Sequence, residues 1–120
     1  MKSILSPIVY TFDMEAAYLQ AKPALTLARE LNQPDLLARC LNTLAFIEGG
    51  LGLWPDVEAH GLEAVEVCRA IGHQALEADS LSTVARAQTN LGRAEEAVDQ
   101  AQLAHELNLK ADNHWERPFS

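Results

Sequence analysis

Cations are scarce in this chain of 120 residues: nine Lys and Arg face seventeen Asp and Glu, for a formal net charge of -8 and a pI near 4.8. So few positive side chains cannot assemble a basic patch, which argues against direct nucleic-acid binding and against docking on an anionic membrane. Aromatic residues number only seven, and β-branched residues are sparse, which argues against a sheet protein. The two cysteines, Cys40 and Cys68, form no C-x-x-C pair and no disulfide framework. They are expected as free thiols of a cytoplasmic protein. Long apolar runs are missing too. The start, Met1 to Tyr10, carries one basic residue and is broken by Pro7, too short and interrupted for a signal peptide or a membrane span.

What the sequence has in plenty is alanine and leucine, 19 and 18 residues, or 37 of the 120 positions. That mixture favours helix. The length suits one domain with a single real core.

The chain also repeats itself. Shifted by forty, residues 35–72 pair with 75–112. Identities then fall at Leu36/Leu76, Ala38/Ala78, Leu41/Leu81, Thr43/Thr83, Ala45/Ala85, Leu51/Leu91, Gly52/Gly92, Ala64/Ala104 and Glu66/Glu106. Nine matches in 38 pairs stand against about three from composition alone. Each unit holds two helical patterns. Leu37, Leu41, Leu44, Ala45 and Glu48 share one helix face, repeated at Leu81, Val84 and Ala85. Gly52 and Gly92 mark helix ends, because glycine accepts a left-handed conformation without a Cβ clash. Trp54-Pro55-Asp56-Val57-Glu58 reads as the next helix start, and Ala94-Glu95-Glu96 serves the second unit. The second helices carry small residues at offsets of four and three: Val57, Gly61, Ala64, and then Ala97, Ala101, Ala104. Small side chains there let helices approach closely. Forty residues upstream, Ala17, Ala21 and Ala24 predict a third copy of this helix over about 14–31, closed by Asn32-Gln33-Pro34. Pro23 lies inside it and predicts a kink.

Paired helices with a terminal glycine and small residues at these offsets resemble tetratricopeptide repeats, most nearly the forty-residue variety found in bacterial regulators. The resemblance covers about residues 14–112. It rests on Leu44-Ala45, Gly52, Trp54, Val57, Gly61 and Ala64, with Val84-Ala85, Gly92, Ala94, Ala97, Ala101 and Ala104. The early aromatic of the first helix is replaced by Leu41 and Leu81, and no proline closes the repeat after Ile71. The implied fold is all-α: a right-handed α-α superhelix of about two and a half helix-turn-helix repeats, around five antiparallel helices. Its parts are an N-terminal segment or partial helix (1–13), a half repeat (14–32), two repeats (34–72 and 74–112) and a tail (113–120). The rival is an Ala-rich bundle of four or five helices.

Repeats of this kind stack, and about three are needed for independent stability. The half repeat leaves an apolar face at the N-terminal end, for which Ile4, Leu5, Ile8 and Val9 offer a cover, with Ser6-Pro7 as the start of a short helix. At the other end, Trp115 and Phe119 lie where a further first helix would begin, but Pro118 takes the place of Ala78. Abrupt ends of this kind predict a homodimer or a piece of a longer repeat array.

Chemistry-bearing motifs are missing. His60, His73, His105 and His114 form no metal signature, and His60, beside Glu58 and Glu63, reads as a solvated helical histidine. Gly49-Gly50-Leu51-Gly52 follows a helix and lacks the Gly-Lys-Ser/Thr ending of a phosphate loop. The acids at helical spacing read as a solvated face. No enzyme activity, cofactor or metal is expected. In the family this chain resembles, first helices line a concave groove for a peptide or a helix. Carried over by position, the groove residues are Arg39, Asn42, Phe46 and Gly49, then Asp79, Ser82, Arg86 and Thr89. Phe46 is the natural anchor, and Arg39 and Asp79 are expected to meet across neighbouring repeats. The expected role is a protein-interaction scaffold of a bacterial signalling or transcription-regulatory protein, cytoplasmic, with a protein or peptide partner. The alternative is a self-assembling structural module.

Overall fold

A computed structural model describes the backbone of residues 2–116 and the side chains of residues 14–110. Five helices follow one another: α1 (Lys2–Leu31), α2 (Pro34–Gly50), α3 (Trp54–Ile71), α4 (Gln74–Asn90) and α5 (Ala94–Glu116). No strand occurs among the described residues. The starts of α2 and α4, and of α3 and α5, are forty residues apart.

Local chemistry fixes the boundaries. Pro34 and Pro55 open α2 and α3, with Asp35 and Asp56 in the first turns. His73 caps α4, its Nδ1 accepting the Leu76 amide at 3.2 Å. At the other ends, Gly52 and Gly92 adopt φ of 76° and 81°. The amides that follow them, Leu53 and Arg93, reach back to the Glu48 and Gln88 carbonyls at 2.9 and 2.8 Å. This pattern satisfies carbonyls that a helix end leaves unpaired. Gly72 and Asn32, also at positive φ, close α3 and α1.

Each helix packs chiefly on the next, and α2 also comes close to α4. The chain is therefore an all-α stack of helical hairpins. The backbones of α2 and α4 approach more closely than those of α1 and α3 or of α3 and α5, which meet through side chains such as Arg29 and Glu63 or Val65 and Ala104, so the stack bends with α2 and α4 on its inner side.

The core repeats with the sequence. Leu25, Leu41, Leu44 and Ala64 form one cluster, flanked by Leu37 and Val67. Forty residues on, Val65, Leu81, Val84 and Ala104 form another, with Ala78 and flanked by Leu107. Ala45, Val57 and Ala87, under Trp54, join the two units. Gly61 marks a close seam between α3 and α4: a Cβ there would lie 2.7 Å from Val84 Cγ2.

α1 runs through Pro23 as one continuous helix. Pro23 lies on the exposed side, one turn from Leu19, which is 70% exposed. Water can therefore take the carbonyl that the proline leaves without a partner. One expectation changes at the N-terminus: a separate short helix from Ser6-Pro7 does not form, because α1 runs unbroken from Lys2. The side chains of Ile4, Leu5, Ile8, Val9, Trp115, Pro118 and Phe119 lie outside the described residues.

Gly61→Leu should cost about 1–3 kcal/mol, because the added side chain must displace Val84 in a closed seam. Urea denaturation followed by circular dichroism measures it, and Gly61→Ala should cost less, since helix propensity offsets part of the clash.

Candidate functional site

Offsets of three and four set Arg39, Asn42 and Phe46 along one line of α2, and Asp79, Ser82 and Arg86 along the equivalent line of α4. Because α2 and α4 pack together, the two lines are neighbours. Arg39, Phe46, Asp79, Ser82 and Arg86 are exposed. Phe46 is 66% exposed, a large ring held open to water on a helix whose other apolar residues are mostly buried.

Neighbouring elements constrain several of these side chains. Asn42 is half-buried, and its side-chain oxygen accepts the Ser80 hydroxyl at 2.9 Å. Its equivalent, Ser82, meets no further first helix among the described residues and is exposed. Arg86 lies over the Trp54 ring, 5.2 Å from its centroid, a cation–π contact that fixes the guanidinium beside the α2 terminus. Gly49 makes room for it, since a Cβ there would stand 3.2 Å from Arg86 Nη2. The expected Arg39–Asp79 contact is not formed: Arg39 pairs with Asp35, one turn away on its own helix, at 3.2 Å. A partner one turn away costs less chain ordering than one on another helix.

A polar layer lies behind this surface, and sequence spacing did not identify it. Glu48 is 1% exposed, and its Oε1 stands 2.7 Å from His60 Nδ1 across the α2–α3 seam. Its Oε2 is buried without a partner. His60 is thus half-buried and bonded, not a solvated histidine beside Glu58 and Glu63. Burial pushes the Glu48 carboxyl above its ordinary value; the His60 bond opposes this without cancelling it, while Asp56 adds to it and Lys22 subtracts. The next unit carries Gln88 in the same place, donating to Glu58 at 3.0 Å, and Glu58 also accepts from Arg93. One signal was available: Glu48 keeps register with Leu41 and Leu44, which places it on a buried face.

Glu63, read as solvated, pairs with Arg29 of α1. The guanidinium holds the Glu63 carboxyl below its ordinary value. Both side chains are partly exposed, so the pair contributes under about 1 kcal/mol. Cys68 is buried and Cys40 half-buried; burial raises the Cys68 thiol, consistent with a packing role. Gly49 and Gly50 form the last turn of α2, so Gly49-Gly50-Leu51-Gly52 is a helix end. No group of three or more metal-ligating side chains occurs among the described residues. Nor is any helix among them long and apolar enough to cross a membrane. Comparison with known proteins gave no match: no family model fits the sequence, and no curated protein or solved structure is significantly similar to it.

The raised Glu48 carboxyl sets the sign of a pH effect. Its stabilising contribution is complete below the ordinary carboxylate range and is lost as pH rises through the higher folded-state value. Glu48→Gln, which copies Gln88, should therefore raise the thermal midpoint at pH 8 and flatten its fall between pH 4 and 8. Calorimetry across that range checks both.

Proposed function

We propose that this chain is a non-catalytic protein-interaction scaffold of the tetratricopeptide type, acting within a bacterial signalling or transcription-regulatory protein in the cytoplasm. The observation that carries this reading is Phe46. A large apolar ring on the inner side of a curved helical stack is well suited to anchor a partner's apolar side chain. Arg39 on the same line of α2, with Asp79, Ser82 and Arg86 on the neighbouring line of α4, adds both signs of charge and a hydroxyl to this side, which suits an extended peptide or one face of a helix. Asn42 supports the groove from beneath through Ser80. The Arg86–Trp54 stack pre-orders one cation, which lowers the entropic cost of using it. The partner is a protein or peptide, and no cofactor has a role.

Panning a peptide-display library against the protein tests this. Wild type should select peptides with an apolar anchor, and Phe46→Ala should weaken them about tenfold or more. Arg86→Glu should change which charges are selected beside the anchor. Selected peptides indifferent to both changes would overturn the groove.

A second reading, self-assembly as a structural module, is favoured by exposed apolar side chains at both ends of the stack: Leu27 and Leu31 on α1, Val98 and Leu109 on α5. Light scattering coupled to size exclusion distinguishes the two. A mass that grows with concentration favours self-assembly, and a constant monomer mass removes it.

A further inference from the structure

Identical repeat positions differ in exposure at one place. Ala64 is 0% exposed and Ala104 3%, whereas Ala24, forty residues before Ala64, is exposed. Val67 and Leu107 pack against the two core clusters, whereas their counterpart Leu27 is 55% exposed. Ser80 is 0% exposed, and its counterpart Cys40 is half-buried. One physical difference accounts for all three. Ala64, Val67 and Ser80 lie under α2, through Leu37, Leu41, Leu44 and Asn42; the equivalent face of α1 and α2 has no such helix on it among the described residues. There the surface sinks into a shallow, largely apolar depression between Ala21 and Ala24 of α1 and Arg39, Cys40 and Thr43 of α2.

We infer that this open face is the seat of an amphipathic helix of the α2 type, supplied by a partner protein. The seat continues the interface that already runs through the molecule, so the occupant's chemistry can be read from its counterpart. Leucines at offsets of four and seven, as at Leu37, Leu41 and Leu44, cover Ala24 and Leu27. A small residue faces Cys40, since a thiol is a weaker partner than Ser80 for an amide. A second folded copy does not supply such a helix. The leucine stripes of α2 and α4 are already closed, with Leu41, Leu44 and Leu81 at 1% exposure or less. The segment before Met14 does not turn back over the face either, because it continues the axis of α1. This inference rests on the two-helix-repeat reading and not on the Phe46 groove.

The test uses the full chain and a helix-stapled peptide of residues 34–50 carrying Cys40→Ser and Asn42→Ala, with thiol labelling of Cys40 as readout and buried Cys68 as the internal reference. The peptide should slow Cys40 labelling about tenfold when it stands about tenfold above its Kd. Ala24→Arg, on the rim of the depression, should abolish that protection while helicity and thermal midpoint stay unchanged. Phe46→Ala should leave it intact, so a failed groove and a failed seat are told apart. Unslowed labelling up to about 1 mM peptide, at the weak end of specific recognition, would overturn the inference. So would protection that survives Ala24→Arg. Protection that grows with protein concentration in the absence of peptide would assign the face to a second copy and overturn it equally.

Discussion

Close approach between helices is the constraint on which everything else in this molecule depends. α3 can lie against α4 only because Gly61 has no Cβ to meet Val84, and against α2 only because Ala64 is small enough to sit among Leu41 and Leu44. Repeat the condition forty residues later, with Ala104 among Leu81 and Val84, and a stack follows. The alanine-rich composition is the consequence. Short side chains line the seams and leucines fill the space between them, so each unit buries its faces chiefly on its neighbours.

Polar side chains pin that stack, and most of the ties meet on α3. Glu63 reaches Arg29 of α1, His60 reaches Glu48 of α2, and Arg69 bonds Glu77 of α4 at 2.7 Å. Glu58 collects Gln88 and Arg93. The partly exposed Arg29–Glu63 pair contributes little by itself. Together the ties favour one rotation of α3 over others, which an apolar seam of alanines and leucines leaves loosely specified. Glu48 carries the cost of this layer, with one carboxylate oxygen buried and unpartnered. The inner surface takes its order from the same elements, since Trp54 at the start of α3 holds Arg86 and Ser80 holds Asn42.

Sequence periodicity anticipated the seams well and the polar layer poorly, for a physical reason. A stripe such as Leu37, Leu41, Leu44 and Ala45 has one good use, burial, so it announces its face. The forty-residue shift then places Leu81 and Val84 without further information. An acid at helical spacing is ambiguous, because Glu63 on a solvated face and Glu63 across from Arg29 look alike in one dimension. His60 was misread on these grounds, and Arg39 was given Asp79 when its own helix offered Asp35. Pro23 shows a further limit. Its cost in a helix depends on whether the freed carbonyl meets water, which only the packing of α1 decides.

Methyl-to-methyl nuclear Overhauser contacts test the central claim, that one forty-residue pattern builds the same core twice. The Ala64 methyl should show contacts to Leu41 and Leu44, and the Ala104 methyl to Leu81 and Val84, with Ala45 and Ala87 linking the two sets. Contacts from Ala104 to Leu41 or Leu44 would mean a bundle closed on itself, and would contradict the stack.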